Sequence, residues 1–328
     1  MNGTTATAQA HPNIAFIKYW GNRDDRLRLP VNGSVSMNLG ALRTTTTVTF
    51  DDSLRQDSLA INGAAEPKAA VGRVSSVLDE VRRIARTGAR ARVESSANFP
   101  AGVGVASSAA AFAALALAAS TAAGLSLSEG EISRLARLGS GSACRSVPGG
   151  FCEWRMGTGD ADSIAVSIAD ADRWDLVDLI AILSTTHKKV GSAAGHPGAV
   201  TSPYQAARIA GAPERIEGCR EAIRTRDFAR LAAISEEDST LMHCVMMTQR
   251  PPLFYWEPAS LAIMKAVPEW RLEGLRVFFT LDAGPTVHVL CLGEDANEAE
   301  RRLRAVPGVA DLLRSGAGGP ARIVDAEF

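Results

Sequence analysis

Residues 98–115 read NFPAGVGVASSAAAFAAL. Immediately upstream, Ala91 to Ser95 alternates in the manner of a strand, and the Asn-Phe-Pro-Ala-Gly run breaks that period before an uncharged, Ala-rich segment opens near Ser107. The local order is strand, small-residue loop, helix. Small residues let a backbone approach an anion closely, and the first-turn N–H groups and helix dipole favour phosphate. Ser107 and Ser108 can donate to that phosphate or ligate Mg²⁺. Close packing of a helix on a sheet produces the same pattern, so both readings stay open on these residues alone. From Ala101 to Leu125 the chain carries no charge over 25 residues. It is mostly Ala, Ser and Gly without aromatic or basic flanks, which predicts a buried helix rather than a membrane span.

Working outward, NIAFIKYW (13–20) and RTTTTVTF (43–50) read as strands, and Val71 to Ala85 repeats apolar residues on one face of a 3.6-residue period, with Arg, Asp and Glu opposite. Ser128 with Glu131 forms a capping box ahead of a helix over 129–138. LVDLIAILS (176–184) reads as a buried strand, and the loop after it marks a junction between domains 1–183 and 184–328. Helical patterns follow over 214–226, 227–234 and 259–267, then strands over 275–281 and 287–292 joined by DAGPT, then a charged helix over 297–306. The mixture is α+β in both halves rather than a doubly wound parallel sheet.

With 46% apolar and 22% charged residues the 328-residue chain lies far from the disordered corner of composition space. The 35 Lys+Arg against 36 Asp+Glu give no sequence-wide attraction to nucleic acid or an anionic membrane. Arginine outnumbers lysine by 30 to 5, which draws attention to Lys18, Lys188 and Lys189. Five scattered cysteines contain no C-x-x-C, so neither a disulfide framework nor a zinc site is expected, and a reducing cytoplasm fits best. The first thirteen residues lack the profile of a secretory signal and read as a polar lead-in.

The common cofactor signatures are absent: no Gly-Lys pair for a Walker loop, no third glycine after Gly102-x-Gly104-x-x-Ser107, and no H-E-x-x-H. Two other clusters carry chemistry. In LGSGSACRSVPGGF (138–151) Arg145 stands among hydroxyls, where a guanidinium can grip a carboxylate or phosphate with two donors and Ser140 and Ser142 can add neutral ones. A packing turn with a surface arginine is the alternative. In FFTLDAGPTVHVL (278–290) Asp282 ends an apolar strand in a tight turn, partly desolvated as a general base requires, or else merely capping the turn.

Taken in order, HPNIAFIKYWG (11–21), LPVNGSVSMNL (29–39), NFPAGVGVASSAAAFAAL (98–115), LGSGSACRSVPGGFCEW (138–154), the looser EDSTLMHCVMMTQRPPLFYW (237–256) and FFTLDAGPTVHVL (278–290) span nearly the whole chain. Together they resemble the mevalonate diphosphate decarboxylase family, within the galactokinase, homoserine kinase, mevalonate kinase and phosphomevalonate kinase (GHMP) superfamily. The resemblance implies a ribosomal-protein-S5-like N-terminal domain, a ferredoxin-like C-terminal domain, and a cleft between them. It also implies a cytoplasmic homodimer acting on a phosphorylated mevalonate. The reaction so implied phosphorylates a tertiary 3-hydroxyl with ATP and Mg²⁺, then loses phosphate and CO₂ to leave an alkene.

By this resemblance Asp282 is the base, Arg145 the carboxylate clamp, and Asn98, Pro100, Gly102, Gly104, Ala106, Ser107 and Ser108 the ATP phosphate loop. Ser108 is placed among the catalytic residues and, with Ser107, beside the metal. Lys18, Tyr19, Asn22, Ser140, Ser142, Ser192 and His196 fall at substrate positions. Two departures stand out. Decarboxylases acting on the diphosphate usually read KYWGK where Asn22 replaces the last Lys, and the S-S-x-x-G-M segment becomes Gly191-Ser192-Ala193-Ala194-Gly195-His196. Fewer cations suit fewer phosphate charges, so the expected reaction is mevalonate 5-phosphate to isopentenyl phosphate, the alternative being mevalonate 5-diphosphate to isopentenyl diphosphate. His196, if protonated, would return part of the missing charge. A mevalonate 3-kinase or a non-catalytic paralogue is disfavoured because Asp282, Arg145 and Ser108 are all retained.

Overall fold

The computed structural model describes residues 2–100, 107–183 and 191–325. Among the described residues the first half holds two large sheets and a two-stranded ladder, Asn22–Asp24 with Leu29–Pro30. One has six strands in the spatial order Arg322–Val324, Asn2–Ala10, Thr44–Asp51, Arg90–Ala97, Ser58–Ile61 and Ala64–Ala65. Against it pack the helices Lys68–Ala85, Ser107–Ala122 and Glu129–Gly139. The Ala-rich helix is buried on nearly every side, which is why its sequence shows no amphipathic period. The capping box at Ser128 and Glu131 forms as expected.

The first residues are not a lead-in but a strand, antiparallel to Thr44–Asp51 from Asn2↔Asp51 to Ala10↔Thr44. Ala8 and Ala10 face the core, while hydroxyl pairs Thr5–Thr49 (3.0 Å) and Thr7–Thr47 (2.9 Å) link the strands. Threonine is polar by composition yet β-branched, so it suits a pleated surface, and a polarity count hides this strand.

A four-stranded sheet, ordered Ala165–Ala169, Phe151–Trp154, Ser34–Asn38, Asn13–Ile17, completes the first half. In the second half the strands Leu176–Ile182, Val277–Thr280, Val287–Leu292 and Asp311–Gly316 take the spatial order 2-3-1-4 with every neighbour antiparallel. This is the split β-α-β arrangement of a ferredoxin-like layer, as expected for the α+β, two-domain frame. The strand Leu176–Ile182 pairs inside this second sheet, so the junction expected at 183/184 falls just after a strand belonging to the second half.

Between the two four-stranded sheets lies a common interior. Phe16, Met37 and Phe151 from one side meet Ile180, Phe278 and Leu290 from the other, closed by Cys219, Ile223 and Leu231 of two helices. One of these helices, Phe228–Thr248, extends well past the expected 227–234. Its second part turns the polar residues Asp238, Ser239 and His243 inward, which erases the apolar period that sequence reading relies on.

Candidate active site

The strand Asn13–Ile17 loses register against its neighbour between Ala15 and Ile17, and the chain then leaves the sheet as Lys18-Tyr19-Trp20-Gly21. Buried polar groups hold this departing backbone. Lys18 N–H donates to Asp238 Oδ1 (2.7 Å), and its carbonyl accepts from Arg208 Nη2 (2.6 Å) and Asn32 Nδ2 (3.1 Å). Asp238 is fully buried and also accepts from Arg215 Nε at 2.7 Å. Gly21 adopts φ +99°, a left-handed conformation that glycine tolerates best, and its N–H donates to His196 Nδ1 at 2.9 Å.

So fixed, Lys18 directs its ammonium across the cleft. Nζ donates to Ala15 O (2.7 Å) and to Asp282 Oδ1 (2.8 Å), joining the two halves of the chain. Asp282 sits just beyond the strand Val277–Thr280, anchored through Leu281 N–H to Ser239 Oγ (2.9 Å) and through the turn bond Gly284 N–H to Asp282 O (2.8 Å). Its side chain remains 31% exposed while that of Lys18 is 1% exposed. Burial on its own would raise the Asp282 carboxyl, but the charge and hydrogen bond of Lys18, with His288 and Arg145 assisting, hold it below the ordinary value. Lys18 is pulled the other way: burial lowers it, against the opposing charge of Asp282.

Arg145 lies in the short helical turn Gly141–Ser146, buried and paired with no carboxylate among the described residues. Nε donates to Ser36 Oγ (3.0 Å), Nη1 to Ser34 Oγ (2.5 Å) and Nη2 to Asn13 Oδ1 (3.1 Å). Three of five N–H groups are thereby spent on neutral partners that orient the plane, leaving one on each terminal nitrogen. Gly141 makes room for this turn: a Cβ there would stand 2.5 Å from the Tyr19 ring.

A cavity of about 230 Å³ opens over these groups. Lys18, Tyr19, Ser140, Ser142, Arg145 and Asp282 line it, joined by Ser107, Ser108, Ser192 and His196. Ser108 Oγ and Ser140 Oγ lie 3.2 Å apart, linking the start of the Ala-rich helix to the Arg145 turn. A second cavity of about 230 Å³ shares Ser107, Ser108 and Arg73 with the first; Leu59, Ile61, Val74, Phe99 and Phe112 give it a largely apolar wall, which Thr44, Asn62, Ser95 and Ser96 complete. Asn98 does not reach the first cavity. Its amide bridges Arg43 N–H (2.8 Å) and Ala41 O (2.9 Å) behind the loop, and Pro100 follows it exposed. Gly102, Gly104 and Ala106 lie outside the described residues, as do Lys188 and Lys189.

Two expectations need correction. His196 lines the cavity but brings no charge: its ring packs at a tilt against Tyr19 (centroids 4.2 Å apart) and Trp20 (4.5 Å), and burial, with Arg28 and Arg208 nearby, lowers its pKa to about 3. An Nδ1 that accepts from Gly21 has no room for a proton. Asn22 is not among the lining residues either; its Oδ1 accepts from Tyr19 OH (2.5 Å) and its Nδ2 donates to Asp25 Oδ1 (2.8 Å). The cations that sequence reading missed are Arg28 and Arg73, both in the lining. Arg73 stands on the polar face of an amphipathic helix, with its guanidinium 5.2 Å from the centre of the Phe112 ring, and Arg28 lies in a charged run. Local pattern marks both as solvated surface. Among the described residues of the lining, four cations, Lys18, Arg28, Arg73 and Arg145, thus surround one carboxylate, Asp282, and the cavity favours a polyanion.

Comparison with known proteins agrees with this geometry. Residues 10–165 match the Diphosphomevalonate decarboxylase-like N-terminal domain and residues 178–313 the Mevalonate 5-diphosphate decarboxylase C-terminal domain. The chain is 37% identical over 318 residues to the diphosphomevalonate decarboxylase of Ganoderma lucidum, covering 89% of this chain and 80% of that one, and 36% identical over 317 residues to that of Homo sapiens, covering 89% and 78%. Among solved structures, mevalonate diphosphate decarboxylase from Staphylococcus aureus matches with a TM-score of 0.94 at 35% identity, covering 98% of both chains. A structure described as MDDEF in complex with MVAPP, AMPPCP and magnesium matches with a TM-score of 0.92 at 37% identity, covering 99% of this chain and 100% of that one. The relatives named here act on the diphosphate, so the expectation of a monophosphate substrate finds no support among them.

Proposed function

The chain belongs to the diphosphomevalonate decarboxylase family, and from that premise we propose that it converts mevalonate 5-diphosphate and ATP to isopentenyl diphosphate, CO₂, ADP and phosphate. The observation that carries the reading is the cavity itself, where an ionised Asp282 faces Arg145 across a lining in which, among the described residues, cations outnumber carboxylates four to one.

The residues divide the work as follows. Asp282, with Oδ1 committed to Lys18, uses its remaining carboxylate oxygen to accept the proton of the substrate's tertiary 3-hydroxyl as that oxygen takes the γ-phosphoryl group of ATP. Arg145 directs its two free N–H groups at the substrate carboxylate. Cleavage of the C–O bond then releases inorganic phosphate, and the electron pair of the C1–C2 bond becomes the C=C bond as CO₂ departs. Arg145 fixes the carboxylate while the charge moves off it, and the cations around the cavity, of which Lys18 is buried, stabilise the developing phosphate.

ATP fits the two joined cavities. The apolar one suits a nucleoside ring, and Ser107 and Ser108 at the helix start, with Arg73 beside them, suit its phosphates. Among the described residues no group of three or more His, Cys, Asp or Glu side chains is placed to hold a metal. Mg²⁺ would therefore be held by phosphate oxygens with Ser107 or Ser108, where it supplies neutralising charge to the transferring phosphoryl group. No helix among the described residues is long and apolar enough to cross a membrane.

The test is direct: purified protein with ATP and either mevalonate 5-diphosphate or mevalonate 5-phosphate, followed by ADP and CO₂ release. The proposal requires a higher kcat/KM on the diphosphate and one CO₂ per ADP. Preference for the monophosphate, or ADP without CO₂, would overturn it.

A further inference from the structure

Arg28 closes the four-residue turn between the strands Asn22–Asp24 and Leu29–Pro30, in a left-handed conformation (φ +51°) that a side chain other than glycine rarely adopts. The turn is pinned by Leu27 N–H donating to Asp24 Oδ1 at 2.8 Å. Arg28 Nε donates to Leu138 O at 2.9 Å, which tethers the guanidinium beside the Ser140–Ser142 wall of the cavity. Among the described residues neither terminal nitrogen has a hydrogen-bond partner and no carboxylate pairs with Arg28.

Its neighbours are committed elsewhere. Arg23 donates to the carbonyls of Pro30, Met156 and Gly157, Arg137 is bound to Asp160, and Lys18 to Asp282. Position 22, the last of the KYWGK stretch in decarboxylases acting on the diphosphate, is neutral here, and both ends of its amide are consumed. Arg73 lines both cavities and so faces the nucleotide as well, whereas Arg28 lines only the substrate cavity.

We infer that Arg28 selects the substrate's terminal phosphate, supplying from the neighbouring turn the cation that position 22 lacks. A planar guanidinium with two free terminal nitrogens binds phosphate with a paired set of donors, and its tether settles the orientation before the ligand arrives. This assignment rests on the diphosphate reading.

The experiment compares kcat/KM for mevalonate 5-diphosphate and mevalonate 5-phosphate in wild-type protein, Arg28→Gln, Arg28→Lys and the double variant Arg28→Gln/Asn22→Lys, each checked by thermal melting. Loss of a charge-assisted contact predicts that Arg28→Gln lowers the diphosphate-to-monophosphate ratio about 10- to 100-fold, mostly through KM. Arg28→Lys should lose less, and Asn22→Lys should recover part of the loss. If the glutamine variant fails to fold, the lysine variant carries the test: because an ammonium lacks the paired donors, a diphosphate-to-monophosphate ratio unchanged from wild type in folded Arg28→Lys would refute the role. An unchanged ratio in folded Arg28→Gln, or an equal loss on both substrates, overturns the assignment while leaving the diphosphate reading intact. A wild-type preference for the monophosphate overturns that reading instead, before any variant is made.

Discussion

Lys18 Nζ and Asp282 Oδ1, 264 positions apart in the chain, meet at 2.8 Å across the cleft. The pair makes the base anionic at neutral pH and leaves one carboxylate oxygen for the substrate. Because the folded-state pKa of Asp282 is lowered, its carboxylate is ionised above the ordinary range and protonates only as pH falls through a value beneath it. The acid limb of kcat/KM should accordingly lie low. Lys18→Met removes the stabilising charge and leaves the burial, so the limb should move to higher pH while turnover falls. A pH profile with the limb unmoved would detach Lys18 from the base. Asp282→Asn keeps the shape and removes the proton acceptor, so kcat should drop by roughly 10²–10⁴-fold with substrate binding retained.

Arg145 tests the geometry of the carboxylate clamp. Its plane is fixed by Ser34, Ser36 and Asn13, none of them charged, so its two remaining donors are set for a ligand. Lysine preserves charge but not the planar fork, and kcat/KM should fall by at least about tenfold. Near-normal activity in Arg145→Lys would make the arginine a packing residue.

The Asp238 side chain is not in the cavity lining but holds Lys18 in place through the Lys18 N–H. Replacing it with asparagine leaves Arg215 and Arg208 buried without their counter-charge, a loss of about 3–5 kcal/mol that should lower Tm by on the order of 10 °C. The site should suffer as well, since Lys18 N–H donates to the same carboxylate. Calorimetry of Asp238→Asn giving a Tm within about a degree of wild type would contradict this account.

His196 supplies a pH test with a definite sign. Its folded-state pKa, about 3, lies below the unfolded value near 6.5, so the unfolded chain takes up the proton first as the solution is acidified. The contribution of neutral His196 is complete above about 6.5 and is lost as pH falls toward 3. His196→Asn can still accept from Gly21 N–H but cannot titrate, so Tm should decline less steeply across that window than in wild type. Parallel slopes would mean that another group governs it.

Much of this was legible in the sequence because the chemistry-bearing residues occupy short, locally specified frames. Asp282 lies in a strand-turn-strand that forms as its DAGPT turn predicts, and Arg145 occupies a small-residue turn where a Cβ at Gly141 would meet the Tyr19 ring. What escaped is set by long-range placement. Arg28 and Asn22 belong to the same hairpin, and only the fold shows which of them faces the cavity. Asp238 lies mid-helix, where its burial depends on Arg208 and Arg215 from other helices. The neutral state of His196 was hidden for a related reason, since the two aromatic rings packed against it are brought there by the folded chain rather than by its own segment.

The interior shared by the two four-stranded sheets has a thermodynamic corollary. Phe16 and Phe278 belong to different halves, yet their rings lie 6.3 Å apart in one apolar cluster. Neither half can expose its side of that cluster without stripping the other, so the chain should melt in a single cooperative transition, with the calorimetric enthalpy matching the van't Hoff value despite a two-domain outline.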